Sequence, residues 1–220
     1  MYLRELEGEA RTFGVSGKLW HGVLVMFDRE SDTLWTQLDG RAIQGADRGS
    51  RLAHWPSTFT TWEAWVDAHP DTLVLAKEGE ARDRSRYADY FADPGRLFLD
   101  RLGEGLGDLV EPKEVVFGLR LGDEALAVTE ELLVRQEVLN VEVGGCAAAL
   151  VRDPRTGGVR AFDRGEGAIE FGRGSGGDEV RLIEASSGRR LDPADFEPLR
   201  VDRAYWYAWK RSHPASRVRR

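Results

Sequence analysis

The chain has 220 residues, of which 41% are hydrophobic and 31% charged, and its formal net charge is −7. These values are typical of one large or two small globular units. The apolar runs are too short to span a bilayer as a helix, so no membrane partner is expected. Positive charge concentrates only in the last residues, 211–220, so we expect a frayed basic tail there and no nucleic-acid partner.

The N-terminal segment MYLRELEGEA has no apolar stretch, so it is not a secretory signal. By default this predicts a cytoplasmic protein, or an exported one if the true start lies further upstream. The single cysteine, Cys146, excludes an internal disulfide. Because it begins the apolar segment CAAALV, we expect a buried and inert thiol.

The first predicted elements lie within residues 1–80. FDRESDTLW (27–35) reads as the end of a strand, a polar turn and a returning strand. WEAWVDAHP (62–70) predicts a helix of two turns, because both tryptophans and the histidine fall on one helical face. Thr60 and Glu63 fit a capping box that begins this helix. Pro70 ends it, because a residue before proline avoids the α region.

Residues 81–111 predict a packed connector, with one helical turn near 95–102. The next part, 112–216, predicts short strands that are separated by turn residues: 114–121, 124–128, 137–143, 146–152, 158–163, 168–172 and 179–184. The last four residues, 217–220, form the basic tail. The predicted fold class is therefore mainly β, α+β at most, as an antiparallel sandwich or barrel.

A repeated pattern organises the chain, since W-x-x-W-x-x-x-H-P occurs at 62–70 and again at 206–214. A Glu-Gly segment and a strand–turn–strand segment precede each occurrence in the same order. We therefore predict an internal duplication, with a first copy at 1–80 and a second at 112–216. Each copy is expected to be a sheet unit closed by a short helix that buries its tryptophans. Replacing Trp65 by alanine should then cost about 3–5 kcal/mol.

The sequence also resembles an uncharacterised bacterial family known as domain of unknown function 3179. The resemblance is carried by TFGVSG (12–17), LVMFDRESDTLW (24–35), PSTFTTWEAWVDAHPDTLVL (56–75), PKEVVFGL (112–119) and VRAFDR (159–164). It implies the repeat but no established activity. Many members carry Cys-Pro-Leu-Cys-Gly just upstream of the first Glu-Gly segment. This chain lacks that motif, so a redox or metal role for it has no support here.

The predicted duplication separates structural from functional candidates. Residues that recur in both copies are expected to be structural: Trp62, Trp65, His69, Trp206, Trp209 and His213. Residues found only in the first copy combine polar groups with aromatic rings, as a small-molecule pocket requires: Trp20, His21, Asp28, Trp35, His54 and Trp55. The alternative is that these six merely give the first copy a larger core.

Two functional classes follow from these candidates. We favour a binding or scaffold module with an aromatic-lined pocket for a small molecule in the first copy. The alternative is a hydrolase or redox enzyme that uses His21, Asp28 and His54. No metal is expected, because the histidines lack ligand spacing. No cofactor is expected either, because the G-x-G-x-x-G run at 172–177 is followed by Asp178-Glu179 and a strand, not by a helix.

The two predicted copies differ before their Glu-Gly segments. In the second copy, residues 112–165 precede the Glu-Gly segment, whereas in the first copy only residues 1–6 precede it. A sheet unit without its flanking strands leaves an unpaired edge. The connector or the second copy could cover that edge, or two chains could pair there, or the chain could begin further upstream. Of these three possibilities we favour the last, and we expect the chain as given to be marginally stable or self-associating.

Overall fold

The computed structural model describes residues 1–55, 57, 59–75, 87–97, 100–173 and 180–220. Its first part holds six strands: β1 (Glu5–Leu6), β2 (Glu9–Ala10), β3 (Phe13–Trp20), β4 (Val23–Asp28), β5 (Leu34–Thr36) and β6 (Ala42–Gln44). β1 and β2 form a hairpin, and the other four form an antiparallel sheet in the order β3-β4-β5-β6. β3 is therefore an edge strand. Trp35 is fully buried in the small core of this part, together with Leu6, Ala42 and Leu52.

The helices agree with the sequence only in part. The helix predicted at 62–70 is α1 (Trp62–Ala68), but its N-cap is Thr61, whose side chain accepts from the amide of Ala64 at 3.2 Å. The capping box of Thr60 and Glu63 was therefore wrong by one residue. The connector contains α2 (Ala88–Ala92), which was not predicted, and a 3-10 turn at Asp100–Leu102 near the predicted helical turn. α3 (Glu130–Gln136) was also missed, and α4 (Trp206–Ser212) carries the second occurrence of the motif.

The second part confirms the predicted strands, whose bounds shift by at most one residue: β7 (Val115–Leu121), β8 (Glu124–Thr129), β9 (Val138–Val143), β10 (Cys146–Arg152), β11 (Val159–Asp163), β12 (Ile169–Arg173) and β13 (Val180–Glu184). Three strands were missed: β14 (Pro198–Leu199), β15 (Val201–Tyr205) and β16 (Arg217–Arg219). β16 contradicts the frayed tail, because it pairs in parallel with β8. The G-x-G-x-x-G run lies largely outside the described residues.

Two four-stranded sheets pack face to face in this part, one in the order β15-β7-β8-β16 and the other in the order β14-β11-β10-β9. Alternate side chains of β7 and β8 point between the sheets, where Phe117, Leu119 and Val128 meet Val141 and Leu150. The opposite face of β7 and β8 is covered by α4 and by the connector. The β12–β13 hairpin covers the outer face of the second sheet. The mainly β class is confirmed, and among the described residues every sheet is open rather than closed into a barrel.

The first sheet packs against α4. The turn between β3 and β4 brings Gly22 against the ring of Tyr207, so closely that an added Cβ would lie 2.5 Å from it. Val23 and Leu38 join the cluster around α4. The guanidinium of Arg200 donates to the Tyr2 hydroxyl at 2.6 Å and pairs with Asp202 at 2.8 Å. Apolar packing and this partly buried polar contact thus join the two parts of the chain.

Candidate functional site

Two of the six predicted ligand-binding residues form a buried structural pair. Asp28 and Trp35 are both 0% exposed. The Asp28 carboxylate accepts from the Trp35 indole N–H at 2.8 Å and from the Ser31 amide at 2.7 Å. Burial alone would raise the pKa of Asp28, but these hydrogen bonds outweigh it and hold that pKa below its usual value. In this structure the two side chains therefore expose no surface to a ligand, and their role in a ligand pocket stays a prediction.

Trp20 ends β3, and His21 begins the β3–β4 turn. Their rings are tilted against each other with centroids 4.8 Å apart, and His21 Nδ1 lies 3.4 Å from the Ser212 hydroxyl at the end of α4. His21 has a positive φ of 53°, which the tight turn imposes. Burial, together with the charge of Arg211, lowers the pKa of His21. This pair contacts α4 and takes no part in the Asp28–Trp35 arrangement.

His54 and Trp55 lie on the strand-like segment that follows the first sheet. His54 pairs with Tyr2 in a β-bridge, and its Nε2 lies 3.5 Å from the amino group of Met1. Burial lowers the pKa of His54 to about 4. Trp55 is 55% exposed. In the described residues no hydrogen bond joins any two of His21, Asp28 and His54, which the enzyme alternative would need to converge.

The two motif helices have the same local geometry. In α4 the Trp209 indole donates to Ser216 at 2.8 Å, and in α1 the Trp65 indole donates to Thr72 at 2.9 Å. Each of these tryptophans lies 4.2 Å, centroid to centroid, from the histidine four residues later. That histidine is the C-cap in both helices, and its amide donates to the tryptophan carbonyl at 2.8 Å. The motif therefore extends to W-x-x-W-x-x-x-H-P-x-S/T.

The surroundings of the two helices differ. Trp206 and Trp209 are 2% and 0% exposed, whereas Trp62 and Trp65 are 60% and 43% exposed. α4 lies on β7, where Gly118 lets the Trp209 ring approach so closely that an added Cβ would lie 2.2 Å away. No described strand lies against α1 in this way. The prediction that α1 buries its tryptophans is wrong. The motif residues determine how the helix folds, but they do not supply a sheet that covers it.

A cavity of about 620 Å³ lies where α1 would otherwise meet a sheet. Ala64, Trp65 and His69 form one wall, and the turn between β10 and β11 forms the opposite wall. Exposed apolar residues also flank α1 in the chain: Phe59 is 69% exposed, and residues 73–75, Leu-Val-Leu, are between 68% and 95% exposed. Single exposed apolar residues are ordinary, but larger exposed apolar patches are typical of interaction sites.

The wall opposite α1 carries two arginines and one aspartate, Asp153. Arg155 and Arg160 both line the cavity, and in the described part of the chain neither forms an ion pair. The nearby Asp153 accepts from the amides of Arg155 and Thr156, which fixes the turn. Aromatic and aliphatic groups face two guanidinium groups across the cavity. This arrangement suits an apolar partner that carries negative charge.

The sequence did not single out Arg155, Arg160 or Thr72. Thr72 could have been found, because a hydroxyl residue follows the His-Pro pair by two positions in both occurrences of the motif. The arginines carry no such signal. They reach α1 only through the folding of β10 and β11, far along the chain from residue 65.

Among the described residues no three histidine, cysteine or acidic side chains gather in a way that could hold a metal ion. Cys146 is half-buried rather than buried, and burial together with Asp163 raises the pKa of its thiol. The reactive thiolate is therefore disfavoured. No helix in the described part of the chain has the length and apolar content that crossing a membrane requires.

A family model described as "Protein of unknown function (DUF3179)" matches residues 1–216 of the chain. The match includes both motif helices, the first sheet and the two packed sheets. Neither the curated proteins nor the solved structures contain a match to this chain.

Proposed function

We propose that this chain, which belongs to the DUF3179 family of proteins of unknown function, is a binding module whose site is the cavity beneath α1. One observation carries the proposal. Trp65 has the same local structure as Trp209, yet it is 43% exposed where Trp209 is 0% exposed. Exposing so much aromatic surface to water is unfavourable, and a bound partner would remove that cost.

The chemistry of the cavity defines the partner in general terms. Trp65 and His69 offer aromatic faces, and Arg155 and Arg160 offer two positive charges without ion pairs among the described residues. The site therefore favours a group that is apolar on one side and anionic on the other. The role we propose is therefore binding.

An aromatic anion tests this proposal without knowledge of the natural partner. We expect 8-anilinonaphthalene-1-sulfonate to bind the protein saturably, with increased dye fluorescence. Trp65→Ala should weaken that binding about tenfold or more, as the loss of a central aromatic anchor does. Trp20→Ala is the matched control, because Trp20 is 40% exposed but does not line the cavity. Unchanged dye binding in Trp65→Ala, or equal loss in Trp20→Ala, would contradict the proposal.

A further inference from the structure

The second part of the chain shows how a W-x-x-W-x-x-x-H-P helix can be covered. β15 leads into α4, and α4 leads into β16. The two strands do not pair with each other, because the β7–β8 hairpin lies between them in the order β15-β7-β8-β16. β7 is antiparallel to β15, and β16 is parallel to β8. The strand–helix–strand unit is thus split, and the inserted hairpin fills the space under the helix.

α1 has the same flanking segments. By the motif, residues 59–61 correspond to 203–205 of β15, and 73–75 correspond to 217–219 of β16. The residue before each helix is extended in both cases: Thr61 has φ −76° and ψ 155°, and Tyr205 has φ −72° and ψ 147°. The C-caps agree as closely, with φ −136° at His69 and −132° at His213. The chain therefore enters and leaves α1 as it enters and leaves α4.

The two helices differ in what lies beneath them: the β7–β8 hairpin lies beneath α4, and no described hairpin lies beneath α1. No described residue pairs with 73–75, whereas β16 pairs with β8 over Arg217–Arg219. Val218 packs into the cluster around α4, but its counterpart Val74 is 68% exposed. The space that β7 and β8 fill beneath α4 is, beneath α1, the cavity of about 620 Å³. The segments 59–61 and 73–75 flank α1 in the chain, and Thr60 lines the cavity; segments without strand partners are suited to strand addition.

We infer that the cavity beneath α1 accepts an antiparallel β-hairpin from another polypeptide, inserted between residues 59–61 and 73–75. This inference rests on the proposed function and gives its partner a chemical class. One strand of the hairpin pairs in parallel with 73–75, as β8 does with β16. The backbone hydrogen bonds of that pairing contribute affinity, and the side chains facing α1 set the specificity.

The covered helix indicates what those side chains must be. Small residues of β7 and β8 face α4, among them Gly118, Ala125 and Ala127. Gly118 is required, because any Cβ would collide with the Trp209 ring. The inserted hairpin therefore carries a glycine opposite Trp65 and small apolar residues beside it. Arg155 and Arg160 on the opposite wall favour a hairpin with carboxylates at its turn or edge.

The chain itself supplies a probe of this chemistry. A synthetic peptide of residues 114–129, EVVFGLRLGDEALAVT, contains the β7–β8 hairpin, including Gly118 and acidic residues at its turn. We expect it to bind the intact protein saturably in a calorimetric titration and to slow amide hydrogen exchange at 73–75. The same peptide with Gly118→Leu should bind about tenfold more weakly or worse, because its side chain would meet Trp65.

Four results would overturn parts of this account, and they are distinguishable. If the peptide fails to bind while the naphthalene sulfonate still binds through Trp65, the hairpin inference is wrong and the proposed binding site stands. If the dye binding is also independent of Trp65, both are wrong. Equal binding of the two peptides would show that the contact is not the proposed insertion. Self-association that is lost in Trp65→Ala would assign the cavity to a second copy of the chain.

Discussion

At the scale of single residues, Trp65 and Trp209 form a natural matched pair. They share a sequence motif, an indole hydrogen bond and a contact with a histidine ring, but only Trp209 is covered. Trp209→Ala should lower the free energy of unfolding by about 3–5 kcal/mol, because it leaves a large cavity. Trp65→Ala should lower it by about 1 kcal/mol or less, because most surface substitutions do little. Denaturant unfolding of both variants measures the two losses of stability. Equal losses would contradict a buried Trp209 and an exposed Trp65.

The buried Asp28–Trp35 pair is a second residue-scale case. Trp35→Phe keeps most of the ring volume but removes the N–H that donates to Asp28. The carboxylate would then lack one of its buried donors, which should cost about 1–3 kcal/mol of stability. Ligand binding at the α1 cavity should not change. A loss of dye binding with full stability would instead support the pocket first predicted around these residues.

At the scale of elements, the contact between α4 and β7 depends on one glycine. A Cβ at position 118 would lie 2.2 Å from the Trp209 ring, so Gly118→Ala should destabilise the protein by about 1–3 kcal/mol through overpacking. The three atoms nearest to such a Cβ all belong to that ring. In a Trp209→Ala background the same substitution should therefore cost much less, and a double-mutant cycle by denaturant unfolding should show this coupling. Additive losses would contradict the close packing of α4 on β7.

The sequence predicted most strands of the second part well, because strand alternation and turn residues are local signals. It missed β15 and β16, whose strand structure is set by pairing with β7 and β8, far away in the chain. It also misjudged α1, because a motif records how a helix folds but not what covers it. The cavity was beyond reach for the same reason, since its two walls meet only in the tertiary structure. The internal duplication stays a prediction, supported by the shared geometry of the two helices.

At the scale of the whole molecule, two histidines near the contact between the first sheet and the rest of the chain predict a pH dependence. Burial lowers the pKa of both His54 and His213 to about 4. Between about pH 6.5 and about 4 the unfolded chain therefore binds protons that the folded chain does not. The free energy of unfolding should fall as pH decreases through this range.

His213→Gln tests that dependence, because it removes one of the two titrating groups. Unfolding measured at several pH values should show a shallower loss of stability in the variant than in the parent chain. A parent and a variant with the same slope between about pH 6.5 and about 4 would contradict a neutral, buried His213. The self-association expected from the sequence remains a prediction.

The central claim is that α1 is an uncovered counterpart of α4, and hydroxyl-radical footprinting of the tryptophans tests it most directly. Oxidation of each indole, measured by mass spectrometry, reports its access to solvent in the intact protein. We expect Trp62 and Trp65 to be oxidised much faster than Trp206 and Trp209, in line with exposures of 60% and 43% against 2% and 0%. The hairpin peptide should slow the reaction at Trp65. Equal protection of all four in the free protein would contradict the claim.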